Sequence, residues 1–358
     1  MDLEKRLELI KSVGEEIVTE EELKILLETN QHPIVYDGFE PSGQMHIAQG
    51  IMRAINTNKL LEAGCKFKFW VADWFAWMNN KMGGDMEKIS VAGEYFIEVW
   101  KACGMDTKKV EFIWSKQAMG NEAYWKRVVS IAREITLNRV LRTVQIMGRS
   151  EKDTLSAAQI LYPCMQASDI FELDVDITNL GMDQRKVNIL AREIAPKLGL
   201  KKPVVVNYHM LMGLTAPSAN INDPMERKIA MKMSKSIPSS AIFMTDASDE
   251  IKKKIRSAYC PEKQIDENPI LEYCKYIIFE KFKEMKIERP EKFGGDVVYA
   301  NYGDLQKAFL EGKLFPLDLK NSVATHIDKL IEPVRKHFEN NSRAKELHET
   351  VKNIKITR

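Results

Sequence analysis

Apolar positions at the start of the chain recur at helical spacing. Leu3, Leu7 and Ile10 mark one short amphipathic helix, and Leu23, Leu26 and Leu27 mark a second, entered through Thr19 and Glu22 as a capping box. Together they read as a lid or packing arm over residues 1–30. Ile34, Val35 and Tyr36 then run as a strand into a Gly/Pro-rich turn, "QMHIAQGIMRAINTNKLLEAG" follows with helical spacing up to Gly64, and "KFKFWVADWFAWMN" supplies a second apolar strand. This is a βαβ unit, whose second strand should lie parallel and buried. Residues 86–150 read as helix interrupted by the strand "VEFIW". Beyond them come the helix "DTLSAAQILYPCMQASDIFEL" with Pro163 inside it, the short strand "VDITNL", the helix "DQRKVNILAREIAPKLG" and the strand "KPVVVNYHML".

Alternation of strand and helix predicts an α/β fold with an open parallel sheet and helices on both faces. A polar stretch over 215–240 lacks either period. After it the chain turns to Lys/Glu-rich helical segments broken by "CPEKQIDENP" and "ERPEKFGG". The expected organisation is an arm over 1–30, a sheet domain over 31–245 with a helical connective segment at 115–150, and a smaller, mainly α-helical domain over 246–358.

Composition narrows the class without naming a partner. Apolar residues are 44% and charged residues 29% of the chain, globular values that exclude a disordered or collagen-like protein. The formal net charge of +2 announces no global positive field, so any nucleic-acid site must be a local patch. Cys65, Cys103, Cys164, Cys260 and Cys274 are odd in number and lack zinc spacing, which fits free thiols in a reducing compartment. No run approaches the roughly 18 apolar residues of a membrane span, and the start is charged throughout; a cytoplasmic protein is expected.

Three stretches carry candidate chemistry. In "GFEPSGQMHIAQG", Gly38, Pro41 and Gly43 leave a parallel strand and enter a helix near His46, which places backbone N–H groups at the sheet's carboxyl edge, where phosphate binds. In "MKMSKS", Lys232 and Lys235 stand three apart with Met233 and Ser234 between, so both ammonium groups can reach one polyphosphate. In "YPCMQASD", Tyr162, Gln166 and Asp169 share one helix face, and Gln184 and Arg185 follow the short strand where an α/β sheet opens its crevice. Each has a plain alternative: a tight turn, a solvated charge run and a buried structural network.

Taken in order, these stretches resemble the class I aminoacyl-tRNA synthetases. "HIAQ" at 46–49 corresponds to that class's HIGH element and "KMSKS" at 232–236 to its second signature, while "YDGFEPSG", "YPCMQASD", "GMDQRK" and "EKFGGD" are similar to the archaeal and eukaryotic tyrosyl branch. The resemblance implies a Rossmann-like catalytic domain and a tyrosine–tRNA ligase. It assigns Tyr36 and Asp169 to the substrate phenol, and Tyr162, Gln166 and Gln184 to its ammonium. Gly38, Gly43, His46, Gln49, Met233 and Ser234 fall to ATP, Lys232 and Lys235 to the leaving pyrophosphate, with His46 and the two lysines catalytic. Arg142 and Arg185 fall to the tRNA acceptor end, and Phe293 and Asp318 to the anticodon. A buried hydroxyl trap left unpaired by phenylalanine accounts for discrimination on the order of 10⁵, a value known for tyrosine-activating enzymes themselves rather than worked out from this chain.

Three departures stand out: Ala48 and Gln49 replace the class's glycine and second histidine, Gln117 stands where archaeal relatives carry glutamate, and Phe315 occupies a place near the anticodon where relatives carry histidine. ATP is expected to bring Mg²⁺ with it, since no paired carboxylates mark a protein metal site. The resemblance also implies a homodimer, for which Val128, Ile131 and Ile135 offer an apolar stripe. The alternatives are a tryptophanyl-tRNA synthetase and a synthetase-like RNA-binding protein that has lost catalysis.

Overall fold

The computed structural model describes residues 1–149, 153–217, 221–235 and 237–354. Six strands form the main sheet: β1 (Glu16–Val18), β2 (Ile34–Phe39), β3 (Lys66–Val71), β4 (Val110–Trp114), β5 (Ile177–Thr178) and β6 (Val204–Asn207), arranged β1-β6-β5-β2-β3-β4. β2 to β6 run parallel and β1 closes one edge antiparallel, with Ile17 opposite Val206. Phe67, Phe69, Trp70 and Val71 of β3 are all buried, because helices cover both faces of a parallel sheet. The chain leaves β2 for β3 and β4 on one side and returns through β5 and β6 on the other. This reversal opens a crevice at the carboxyl ends of β2 and β5.

Elements with clear periods lie where the pattern puts them. β4 spans the predicted "VEFIW", and Thr19 caps the Glu20–Thr29 helix through the Glu22 amide at 3.2 Å. The arm differs from expectation: between its helices the three residues of β1 join the sheet, too few to show a period. Buried Arg6 anchors the arm by donating to the carbonyls of Ala63, Leu27, Asn30 and Gln31. The helical reading of 115–150 resolves into a single turn at Lys116–Met119, the helices Glu122–Arg133 and Leu137–Thr143, and a tight turn at Val144–Met147; residue 150 lies outside the described residues.

The stripe expected to form a dimer face is interior. Val128 and Ile131 are wholly buried and Ile135 is partly buried with them, in the core shared with the Ala157–Glu172 helix; Val129 and Leu137 carry the exposed apolar surface, at 57% and 58%. A stripe shows that a helix has an apolar face, not which molecule covers it.

Beyond residue 245 the chain is mostly helical, as its composition implied, with one addition. Antiparallel β7 (Met285–Ile287) and β8 (Val297–Tyr299) form a hairpin around "ERPEKFGG". In the 25-residue helix Pro316–Asn340, Leu319, Val323, Ile327, Ile331, Val334 and Phe338 make one buried stripe. The Ser342–Lys352 helix folds back toward Met86–Ala102, where Tyr95 packs against Phe338 and stacks on His348. Among the described residues no helix is long and apolar enough to cross a membrane.

Candidate active site

A cavity of about 350 Å³ opens at the crevice between β2 and β5. Neighbouring strand residues point to opposite faces, and this splits the cavity into two lobes. Tyr36 turns to the face holding Trp70, Tyr124 and Tyr162, whereas Asp37 turns to the face holding Arg53 and Phe67.

The first lobe ends at Asp169. One carboxylate oxygen accepts the Tyr124 hydroxyl at 2.8 Å; the other is buried without a well-formed hydrogen bond, although the Trp70 indole N–H stands near the carboxylate. Burial pushes the Asp169 carboxyl well above its usual range, against Tyr124 and, more weakly, Trp70. Tyr36 rises too, from burial first and the nearby Asp169 second. The structure thus brings Tyr36 and Asp169 together and adds Tyr124, which sequence reasoning did not single out. Tyr124 shares a helix face with Val128 and Ile131, so a polar-tipped aromatic on that stripe was the available signal.

Tyr162, Gln166 and Gln184 line the same lobe. The Tyr162 hydroxyl donates to Glu40 Oε1 at 2.7 Å, and Gln166 Nε2 donates to Gln184 Oε1 at 3.0 Å. Gln184 therefore acts on Gln166 rather than presenting a free acceptor of its own. Gln166 Oε1 is buried and unpaired. Glu40 lay inside the quoted "GFEPSG", but its partner is 122 positions away.

In the second lobe, Asp37 and Arg53 form a buried ion pair at 2.9 Å, and Arg53 also donates to Asn179 at 2.6 Å beneath the Tyr208 ring. Burial lifts Asp37 to about 6 despite Arg53. His46 lies in a β-bridge with Phe243, just before a wide helical turn at Ala48–Met52, rather than within a regular helix start. It is buried, its Nδ1 has no partner, and burial followed by Lys235 holds its pKa well below the ordinary value. Gln49 lines the cavity with a buried, unpartnered Oε1, while its carbonyl accepts the Trp100 indole N–H at 2.7 Å. Gly38 admits no side chain without crowding, since a Cβ would lie 3.0 Å from the Tyr36 hydroxyl; Gly43 turns the loop at φ +60°.

The signature stretch closes over this lobe. Although it shows neither period in sequence, it has a packed anchor: Met233 is 4% exposed and its amide donates to the Leu211 carbonyl at 3.0 Å. From there Lys232 reaches Asp183 at 2.5 Å, and Lys235 donates to the Ser42 carbonyl at 2.5 Å with its ammonium 4.6 Å above Phe96. Burial, then Lys81, lowers Lys235 to about 7. Ser234 lies between the two lysines; Ser236 lies outside the described residues. Lys81 and Asp183 complete the cation-and-acid set around the cavity and were not singled out in the sequence.

Four assigned residues lie away from the cavity. The Arg142 carbonyl accepts Lys186 at 2.9 Å, and Arg185 is held by both oxygens of Glu16 at 2.8 Å, so these two arginines sit on one rim. Phe293 is 57% exposed in the β7–β8 turn, and Asp318 opens the Pro316–Asn340 helix. Arg289 donates to the carbonyls of Gly295 and Lys313, which links this turn to the segment just before that helix.

The family model described as tRNA synthetases class I (W and Y) matches residues 28–332. The chain belongs to this family. A tyrosine–tRNA ligase 1, cytoplasmic, from Arabidopsis thaliana is 52% identical across all of this chain and 90% of its own length. A tyrosine–tRNA ligase from Thermococcus kodakarensis is 43% identical over the full length of both. The solved Pyrococcus horikoshii tyrosyl-tRNA synthetase, complexed with L-tyrosine, superposes with a TM-score of 0.91 at 40% identity, covering 98% of this chain and 100% of that one. Within the family the chain thus falls with the tyrosyl-tRNA synthetases, and its sheet is the Rossmann-like one of class I.

Proposed function

We propose that the two lobes divide a tyrosine–tRNA ligase reaction between them. Tyrosine enters the aromatic lobe and ATP the charged one; the tyrosine carboxylate attacks the α-phosphate, tyrosyl-adenylate forms and pyrophosphate leaves. The terminal ribose hydroxyl of tRNA(Tyr) then attacks the activated carbonyl, and AMP departs. The observation that carries this reading is the buried Asp169 oxygen, which no well-formed hydrogen bond fills, at the end of a lobe walled by Tyr36, Trp70 and Tyr124. A phenol satisfies it, whereas the side chain of phenylalanine leaves it bare. An indole N–H could also donate there, and the identities to tyrosine–tRNA ligases favour the phenol.

Tyr36 and Asp169 hold the phenol; Tyr162 and Gln166 hold the ammonium, with Gln184 behind them. Gly38, Gly43, His46, Gln49, Met233 and Ser234 surround the nucleotide, and Lys232 and Lys235 take its phosphates. His46, low in pKa, acts as a neutral hydrogen-bond donor and not as an acid. No nucleophilic side chain is required, so positioning and charge stabilisation carry the catalysis. Mg²⁺ arrives with the nucleotide and offsets phosphate charge; among the described residues no cluster of three acidic, His or Cys ligands offers it a protein cage.

Arg142 and Arg185 face the acceptor end of the tRNA, and Phe293 and Asp318 the anticodon. Exposed Val129 and Leu137 supply the two-fold face of a homodimer working in the cytoplasm. The chain divides into the arm over 1–30, the catalytic domain over 31–245 and the anticodon-binding domain over 246–358. Exchange between pyrophosphate and ATP, run with tyrosine, phenylalanine and tryptophan, tests the reading. Tyrosine alone should support it; exchange with tryptophan instead, or with none, would overturn it.

A further inference from the structure

The ammonium end of the first lobe is built from groups that could each point either way. A glutamine amide can offer oxygen or nitrogen, and a tyrosine hydroxyl can donate or accept. Their directions follow from the groups at the far end of each relay. The Ile146 carbonyl can only accept, so Gln184 must present Nε2 to it, at 2.8 Å. Gln184 Oε1 then faces Gln166 and takes its Nε2 at 3.0 Å. What Gln166 has left, on the cavity wall, is its unpaired Oε1.

The second relay ends at Glu40. Both of its carboxylate oxygens receive Asn79 Nδ2, each at 3.2 Å, and the Lys81 ammonium stands 3.6 Å from Oε2. Glu40 is thus surrounded by donors, and the Tyr162 hydroxyl must give its hydrogen to Oε1 at 2.7 Å. Burial and Glu40 both push the Tyr162 phenol well above its ordinary pKa, so the hydrogen stays in place. Asn79 is itself fully buried and pinned by donating to the Met147 carbonyl at 3.0 Å. Neither relay can reverse without leaving a buried group unpaired.

We propose that Glu40 is a positioning residue for the substrate's α-amine: by holding the Tyr162 hydrogen, it leaves that hydroxyl only acceptor capacity and makes this end of the lobe select a protonated amine. The proposal rests on the tyrosine reading. Glu40 acts through Tyr162, so removing it should weaken ligands that carry the amine and spare those that lack it.

The experiment is equilibrium binding of L-tyrosine and 3-(4-hydroxyphenyl)propionate, which differ only in the α-amine, to the full chain. Glu40→Ala should weaken tyrosine about ten- to a hundredfold, the worth of a charge-assisted hydrogen bond, and leave the propionate within about twofold. Glu40→Met keeps the bulk without an acceptor and should do the same, which guards against a folding defect peculiar to the smaller side chain. Tyr162→Phe should match that loss, the double variant should lose little more, and Glu40→Gln, whose amide oxygen can still accept, should recover most of the affinity. Equal weakening of both ligands, or no weakening of tyrosine, would overturn the role of Glu40. Failure of the unaltered chain to bind tyrosine would instead overturn the substrate reading.

Discussion

Replacing His209 with glutamine tests how the segments around Glu15, β6 and Glu272 are clamped at the rim of the active cavity. His209 follows β6, and its ring bridges Glu15 of the arm at 2.9 Å and Glu272 of the C-terminal half at 3.0 Å. It also stacks on Tyr276, with centroids 4.2 Å apart. Burial works against its protonation, but the hydrogen bonds to Glu15 and Glu272 outweigh that and lift it from 6.5 to about 9. The bond from His209 in turn holds Glu15 at about 2, helped by Lys228.

Because the folded pKa is raised, the stabilisation is fully present below 6.5 and is lost as pH rises through about 9. Two and a half pH units correspond to something on the order of 3 kcal/mol. Glutamine can keep one hydrogen bond but carries no proton to lose. Urea unfolding of both proteins between about pH 6 and about pH 9.5 should show their stability difference shrinking by that amount as pH rises. Lys235, with its lowered pKa, titrates in the same window with the opposite sign; it is common to both proteins and cancels in the difference. A difference that stays constant across the window would refute the clamp as a charged one.

Three further outcomes follow from the geometry. Asp169→Asn keeps an oxygen for Tyr124 but turns the free position into a donor, so kcat/KM for tyrosine in pyrophosphate exchange should fall by about a hundredfold or more while that for phenylalanine does not; equal losses would sink the phenol trap. Lys235 at about 7 predicts that kcat/KM for ATP declines above neutral pH, and Lys81→Met should move that limb to higher pH, an unmoved limb counting against the coupling. Arg6→Met strands four carbonyls at the base of the arm, two of them on fully buried hydrogen bonds; a loss of roughly 3 kcal/mol in unfolding free energy and faster proteolysis of the first thirty or so residues are expected, and a loss under about 1 kcal/mol would show the arm to be held otherwise.

Much of the molecule could be read before any coordinates, wherever the governing interaction is local. A helix cap such as Thr19, the apolar run of β4 and the stripe of the Pro316–Asn340 helix depend on residues a few positions apart. The loop glycines and the two signature stretches were equally visible, because backbone freedom and clustered charge belong to short segments. What the chain's order alone did not decide is which faces meet. β1 is too short to show a period and exists because β6 offers it an edge. Val128 and Ile131 form a stripe in either case, and only packing against the Ala157–Glu172 helix makes it interior.

The active cavity falls on the same divide. Asp169 and Tyr162 were legible as polar residues on one helix face, whereas Tyr124 and Glu40 reach them from 45 and 122 positions away. The direction of each hydrogen bond depends on the far ends of relays that only the tertiary structure assembles. Residue types set which chemistry is available; burial decides which atoms remain unpaired, and those atoms are where a substrate gains most by binding.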